Sequence, residues 1–185
     1  MSEVIRILGI SGSLRKGSYN SATLHAAREL APPDLQIEIG DISQIPLYNA
    51  DVQAQGIPQA VQQLGAQIRA ADGVLLVTPE YNYSVSGVMK NAIDWISRLK
   101  DQPFAGKPVA ICGASMGALG TARAQYHLRQ TGVYLDMRIL NKPEVMIGQA
   151  HERFDADGKL VHEATRKHLE AFMVALREHA RSFRR

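Results

Sequence analysis

The sequence predicts an α/β fold built on a parallel sheet, and two observations support that prediction. Short apolar or β-branched runs alternate along the chain with longer stretches whose apolar residues recur at helical spacing. Two of these runs, at residues 73–78 and 108–113, are apolar almost throughout. Strands that are apolar on both faces are typical of a parallel sheet covered by helices on each side.

Strands and helices can be assigned in order along the chain. A strand at residues 4–8 leads into a loop rich in glycine and serine, and then into a helix that contains Leu24 and Leu30. Further strands are predicted at residues 35–40, 73–78 and 108–113 and within 133–140, and further helices at residues 58–71, 88–99, 121–130 and 162–181. Residues 141–159 are predicted to form a long connection. The last helix directs an apolar face towards the core, formed by Leu169, Phe172, Met173 and Leu176.

The composition is typical of a soluble globular protein. We expect residues 1–185 to form a single domain with a substantial core. The start of the chain has no basic, apolar export signal, and no apolar run exceeds strand length, which favours the cytoplasm and predicts no membrane insertion. The single cysteine, Cys112, can form neither an internal disulfide nor a multi-thiolate metal site, so a buried side chain is predicted.

The distribution of charge argues against nucleic-acid binding. The net charge is +3, but residues 166–185 hold six basic and two acidic residues, which leaves fifteen basic and sixteen acidic residues in 1–165. The excess therefore belongs to the last helix, where cations complement the helix dipole. No basic stripe with interleaved aromatic residues accompanies it, so no nucleic-acid partner is predicted.

The loop at residues 9–20 is predicted to bind a phosphate. It lies between a strand and a helix, where free backbone N–H groups and the positive end of the helix dipole favour an anion. Side-chain donors are supplied by Ser13, Arg15, Ser18 and Asn20. The loop lacks the lysine that an ATP-binding loop carries directly after its second glycine, and its glycine spacing is wrong for a dinucleotide turn. A plain turn without a ligand is the open alternative.

Two more loops are predicted at the same edge of the sheet, because ligands of open α/β sheets bind beyond the carboxyl ends of the strands. The loop at residues 79–87 offers aromatic, amide and carboxylate side chains just before a helix. The loop at residues 114–120 consists mainly of small residues that let backbone approach a planar ring. Together the three loops predict one crevice.

Three motifs follow one another along the chain in the same order as in one protein family. They are the first loop, residues 79–83 leading into 90–95, and residues 113–120. With residues 123–129 following them, the chain resembles the NAD(P)H-dependent FMN reductases, in particular the branch with soluble quinone and chromate reductases. The resemblance implies a flavodoxin-like three-layer sandwich with a five-stranded parallel sheet of order 2-1-3-4-5. It also implies tightly but non-covalently bound FMN, and dimers that can pair into tetramers.

The resemblance assigns roles to individual residues. The four donors of the first loop would hold the FMN phosphate, and the second and third loops would border the isoalloxazine ring. Ser115 would lie near the polar edge of the ring, and Gly117 where no side chain fits. The expected cofactor-binding residues are Ser13, Arg15, Ser18, Asn20, Pro79, Glu80, Tyr81, Asn82, Ser115 and Gly117. Relatives usually carry proline at the position of Ser86, and the serine is expected to loosen the flavin loop.

The expected reaction needs no catalytic side chain and no metal, because the flavin carries the chemistry. Electrons would pass from NADH or NADPH to FMN and then, by a ping-pong route, to quinones, chromate, azo compounds or free flavin. Asn82 and Tyr83 are expected to contact the acceptor, with plain packing as the alternative for Tyr83.

The helix at residues 121–130 has two interpretations. In relatives it would lie at a subunit interface, where Arg123, Tyr126 and Glu144 form a polar network. Alternatively, Tyr126 and Ala122 form a core stripe at i, i+4 spacing while the arginines stay solvated.

Two other functions remain open at this stage. Residues 113–117 satisfy G-x-S-x-G between a strand and a helix, so Ser115 could be a hydrolase nucleophile, with Asp136 or Asp155 and with His162 or His168. That function leaves the donors of the first loop unused.

The second alternative function is a non-enzymatic electron carrier of flavodoxin type. Residues 1–165 are close to neutral, however, and lack the acidic docking face that such carriers present.

Overall fold

The structure of the protein, a computed structural model, describes residues 4–184. Its strands are β1 (Ile5–Ser11), β2 (Leu35–Gly40), β3 (Gly73–Val77), β4 (Glu80–Tyr81), β5 (Ser84–Val85), β6 (Pro108–Ala114), β7 (Arg138–Ile139) and β8 (Val145–Ile147). Its helices are α1 (Tyr19–Glu29), α2 (Ala50–Gln55), α3 (Gln59–Ala70), α4 (Gly87–Ile96), α5 (Ala122–Tyr134) and α6 (Glu163–Ser182), with a 3-10 helix at Ala150–Glu152. The first three residues, for which no export signal is predicted, and Arg185 of the basic tail lie outside this range.

The sheet is parallel and has the predicted strand order. Its path is β2-β1-β3-β6-β7, and β8 also pairs with β6, so β7 and β8 share the fifth position. The register of β1 on β3 aligns Ser11 with Val77, which brings the ends of both strands to one edge. The flavodoxin-like order 2-1-3-4-5 is therefore confirmed, with a fifth strand in two pieces.

Residues alternate between two cores along each strand. In β3, Leu75 and Val77 pack towards α1 and α6, whereas Val74 and Leu76 pack towards α3 and α4. This produces three layers, helix on sheet on helix. The apolar face predicted for the last helix is confirmed, since Leu169, Phe172, Met173 and Leu176 are all buried. The assignment of residues 1–185 to one domain stays a prediction.

A fifth strand within residues 133–140 is confirmed, since β7 spans Arg138–Ile139 and pairs with β6. Other details differ from the sequence prediction: α5 continues to Tyr134, and β8 lies in the predicted connection. Val133 and Tyr134 are 80% and 88% exposed, so their strand-like side chains lie on the outside of a helix. The short helix α2 and the hairpin of β4 and β5 were not predicted. No helix within residues 4–184 is both long enough and apolar enough to cross a membrane.

Candidate functional site

Three loops meet at the carboxyl edge of the sheet, as predicted. We keep the names first, second and third loop for residues 9–20, 79–87 and 114–120, whose ends extend into the flanking strands and helices. The amide of Gly12 donates to Val77 O at 2.8 Å, which fastens the first loop to the end of β3. The side chain of Asn20 joins the first loop to the third: its Nδ2 donates to Ala114 O, and its Oδ1 accepts from Ala114 N, both at 2.9 Å.

The backbone of the first loop presents free donors at the start of α1. Ser18 is the N-cap of this helix, and its Oγ accepts from the amides of Asn20 and Ser21. The amides at residues 14–17 make no hydrogen bond with any acceptor in the described range 4–184. Free N–H groups at a helix N-terminus form a ready anion site. The geometry therefore suits a phosphate.

The predicted phosphate-binding side chains have different surroundings. Ser13 and Ser18 are buried, whereas Arg15 is exposed, with its guanidinium 5.9 Å from the ring centroid of Tyr19. Asn20 is buried and bonded on both polar ends to Ala114, so its amide already has a structural role. The assignment of these four side chains to the phosphate stays a prediction.

A groove of about 550 Å³ lies beside the first loop, between α1 and residues 155–160. Arg15 and Ser18 line it, but no residue of the second or third loop does. The groove is therefore distinct from the crevice between the three loops.

Ser86 fastens the second loop to the first. Its side chain is completely buried, its Oγ donates to Gly12 O at 2.7 Å, and the same Oγ accepts from Met89 N as the N-cap of α4. The expectation that this serine loosens the loop stays a prediction, but its hydroxyl forms a hydrogen bond to a residue 74 positions away that a proline ring has no donor to form. A Cβ on Gly12 would lie 3.0 Å from this hydroxyl, a tight contact that favours glycine at this position.

The second loop is largely a hairpin with a two-residue turn. Tyr81 pairs with Ser84, and the turn residues Asn82 and Tyr83 have φ values of 50° and 66°. Pro79 is buried, while Tyr81, Asn82 and Tyr83 are exposed. The turn residues therefore present their side chains outward at the carboxyl edge. Their predicted contacts with the ring and the acceptor stay predictions.

Glu80 directs its carboxylate away from the hairpin towards α5. It forms an ion pair with Arg123 and accepts a hydrogen bond from the amide of Ala124 at 3.2 Å. Sequence reasoning placed Glu80 beside the ring and Arg123 at a subunit interface, and it missed their pairing. Their opposite charges are the only signal in the sequence, and that signal selects no pair among many.

The third loop satisfies part of its polar groups, while its amides at residues 116–119 find no acceptor within residues 4–184. The hydroxyl of Ser115 donates to Gly120 O, and its amide donates to Ile147 O at 3.0 Å. A Cβ on Gly117 would meet only the Ser115 hydroxyl, at 3.7 Å, so the chain itself leaves room there. The expectation that no side chain fits at Gly117 therefore depends on a bound ligand.

The hydrolase alternative is inconsistent with these contacts. Ser115 bonds to a carbonyl, whereas His162 bonds to Thr165 and His168 bonds to Glu144 O. No histidine in the described part of the chain bonds to Ser115. Burial raises the pKa of the Cys112 thiol to about 12, so this buried cysteine stays protonated at neutral pH and is no nucleophile. A search of residues 4–184 finds no cluster of three His, Cys, Asp or Glu side chains that could hold a metal.

The residues proposed for an interface do not form a network within one chain. Arg123 pairs with Glu80, while Glu144 lies 3.8 Å from Arg129. Tyr126 is 53% exposed, so its assignment to a core stripe is wrong. The side chain points outward because Ala124, Gln125 and Leu128 form the buried face of α5.

Comparisons with known proteins agree with this geometry. The family model for NADPH-dependent FMN reductase matches residues 5–152. An NAD(P)H-dependent FMN reductase of Pseudomonas aeruginosa is 59% identical over 184 residues, which is 100% of both chains. A quinone reductase of Escherichia coli is 49% identical over 181 residues, or 96% of each chain. The solved structure of FerB, a flavoenzyme NAD(P)H:(acceptor) oxidoreductase of Paracoccus denitrificans, superimposes with a TM-score of 0.88 at 36% identity, covering 97% of this chain and 98% of FerB.

Proposed function

We propose that this chain, which belongs to the NADPH-dependent FMN reductase family, uses bound FMN to transfer electrons from NAD(P)H to quinones. The observation that best supports FMN binding at this place is the set of free amides in the first loop. The amides at residues 14–17 have no acceptor within residues 4–184, and they lie in the loop directly before Ser18, the N-cap of α1. A phosphate monoester is the group that such a set of donors binds best.

The residues present fit FMN as a whole. The first loop would hold its phosphate, with Arg15 adding a charge-assisted hydrogen bond. The second and third loops would border its ring, because the chain leaves room beside Gly117 and the exposed hairpin turn is on the other side of the crevice. Bound FMN would supply hydride acceptance and donation, so the protein needs neither a nucleophile nor a metal. The loops would position the cofactor and leave one ring face open to substrates.

Quinones are the proposed acceptors, and the quinone reductase of Escherichia coli, 49% identical, supports this choice. Chromate, azo compounds and free flavin are further acceptors that an open ring face admits. Asn82 and Tyr83 would contact the acceptor, because they are exposed at the hairpin turn.

The proposal includes assembly into homodimers or homotetramers. Apolar and aromatic side chains stay exposed on α5, among them Tyr126, Val133 and Tyr134. A surface of this kind is typical of a protein interface. Arg123, Tyr126 and Glu144 are the residues proposed to meet across it. A cytoplasmic location belongs to the same proposal, because NAD(P)H is the reductant.

The absorption spectrum of the purified protein tests the function. We expect flavin bands that bleach under anaerobic NADH or NADPH and return when a quinone such as menadione is added. Bound flavin that NAD(P)H fails to bleach would support the electron carrier instead. A colourless protein that cannot be reconstituted with FMN would contradict the reductase, and ester hydrolysis lost in Ser115→Ala would revive the hydrolase.

A further inference from the structure

The hairpin of the second loop is anchored to α5 through one carboxylate. Glu80 Oε2 accepts from the amides of Arg123 at 3.0 Å and Ala124 at 3.2 Å. Its Oε1 accepts from Arg123 Nε at 2.5 Å, and the guanidinium completes an ion pair. The side chain of Glu80 is only 6% exposed, so this pair is shielded from solvent on the side of the carboxylate.

Glu80 takes the place of a missing helix cap. Thr121 is the N-cap residue of α5, but its side chain makes no capping hydrogen bond. The carboxylate of Glu80 instead satisfies two of the free amides in the first turn and lies at the positive end of the helix dipole. The start of α5 and the hairpin are therefore held together by the same atoms.

Arg123 also contacts the hairpin turn, through Tyr83. Its guanidinium carbon lies 3.5 Å from the ring centroid of Tyr83, within the range of a cation–π interaction. Tyr83 and Asn82 both adopt left-handed backbone conformations, which are unfavourable for residues other than glycine and persist only where the surroundings hold them. Ser84 adds a third link through its hydrogen bond of 2.9 Å with His127 Nδ1.

We propose that Arg123 is a positioning residue for the acceptor: fixed by Glu80 and stacked on Tyr83, it holds the turn of Asn82 and Tyr83 in the conformation that binds the acceptor. The inference rests on the proposed function, which puts this turn beside the acceptor. No hydrogen bond, ion pair or ring contact among residues 4–184 joins Arg123 to the first loop, where the FMN phosphate is proposed to bind, so Arg123 should affect acceptor binding more than the retention of FMN.

The test compares Arg123→Lys with wild type in the FMN-loaded protein. Lysine keeps the positive charge but loses the planar group that stacks on Tyr83 and bonds through Nε. We expect the KM for menadione to rise roughly three- to tenfold, the range of a partly exposed cation–π contact, with kcat within about twofold. Hydrogen exchange in the peptide covering residues 79–87 should accelerate by a similar factor. Titration of the apoprotein should show a smaller change in the Kd for FMN than in the KM for menadione, because the phosphate site of the first loop is untouched.

Two further variants separate this role from a merely structural one. Arg129→Lys makes the same change on the same helix, but Arg129 bonds to Leu140 and Asn141 and not to the hairpin, so exchange at residues 79–87 should match wild type. Tyr83→Leu should accelerate exchange as Arg123→Lys does, and combining the two should add little, because both remove one interaction.

Three results would overturn the inference. The first is unchanged exchange and KM in Arg123→Lys. The second is additive effects in the double variant. The third is an altered oligomeric state of Arg123→Lys, measured by light scattering, with unchanged hairpin exchange, which would leave Arg123 with its proposed interface role alone. Failure of the proposed function is recognised separately. In that case NAD(P)H would not bleach the flavin bound to the wild-type protein, or menadione would not reoxidise it.

Discussion

The first and third loops are similar in composition and both leave backbone amides free, but they differ in charge. Both follow parallel strands at the same edge, and both are rich in glycine and serine. The amides at residues 14–17 of the first loop and 116–119 of the third find no acceptor within the described chain. The first loop also carries Arg15, whereas the third has no charged side chain, and its Ser115 hydroxyl donates to Gly120 O. The first loop is therefore the better candidate for an anion, and the third offers uncharged donors and space.

The first and third loops contain glycine for different reasons. A Cβ on Gly12 would lie 3.0 Å from the Ser86 hydroxyl and 3.1 Å from Pro79 Cδ, so the fold itself requires glycine there. A Cβ on Gly117 would have one neighbour, at 3.7 Å. Any need for glycine at position 117 must come from the ligand. Three substitutions test this contrast.

Asn20→Ala should have the largest effect, because Asn20 joins the two loops. It leaves the buried N–H and C=O of Ala114 without partners, and we expect a loss of about 2–4 kcal/mol in the free energy of unfolding. Urea denaturation of the apoprotein measures it. Asn20→Asp, which still accepts from Ala114 N, should lose less, and exposed His25→Ala on the same helix should stay within about 0.5 kcal/mol of wild type. Equal stability of Asn20→Ala and wild type would show that the loops are joined by other contacts.

Arg15→Ala tests the anion site of the first loop. Loss of a hydrogen bond to a charged group should weaken FMN binding by about 1.5–3 kcal/mol, or roughly ten- to a hundredfold. Fluorescence titration of the apoprotein measures it. Riboflavin, which lacks the phosphate, should bind both proteins alike. Lys16→Ala, an exposed neighbour with no assigned contact, should change FMN affinity less than about threefold. An equal loss for riboflavin would contradict the phosphate assignment.

Gly117→Ala should have the smallest effect and should act on the ligand alone. The chain has room for the methyl group, so unfolding should match wild type, while crowding of the ring should weaken FMN binding by about 1 kcal/mol, or roughly fivefold. Gly87→Ala is the control, since a Cβ there meets nothing within 4 Å and Gly87 lies at the start of α4. FMN affinities that are equal for both variants would remove Gly117 from the ring site.

Periodic patterns predicted the layers, the strands at residues 35–40, 73–78 and 108–113, and the buried face of α6. The fifth strand was predicted within the correct range, but it begins only at Arg138, because β-branched and aromatic residues favour strands only where a sheet buries them. Val133 and Tyr134 are exposed on a helix instead. The hairpin was missed because its turn contains Asn82 and Tyr83 rather than the glycine that usually marks such a turn.

The candidate site was predicted in its location and in the anion chemistry of its first loop, but its internal partners were not. Glu80 was assigned to the ring and Ser86 to a loosened loop. The structure pairs Glu80 with Arg123, 43 residues away, and Ser86 with Gly12, 74 residues away. Polar residues of this kind can bind a ligand or the chain, and their spacing does not distinguish the two.

The sequence by itself determined the alternation of strands and helices, the faces they bury and the position of the first loop between β1 and α1, where a phosphate is predicted to bind. Each depends on neighbours within a few turns of chain, which hydrophobic period and helix-end chemistry describe. Only the tertiary structure decided which polar groups stay free: Asn20, Ser86 and Glu80 are occupied by distant partners, while the amides at residues 14–17 are not. The physical reason is that a buried polar group needs a hydrogen-bond partner, and the order of the strands in the sheet decides which residues lie close enough to be that partner.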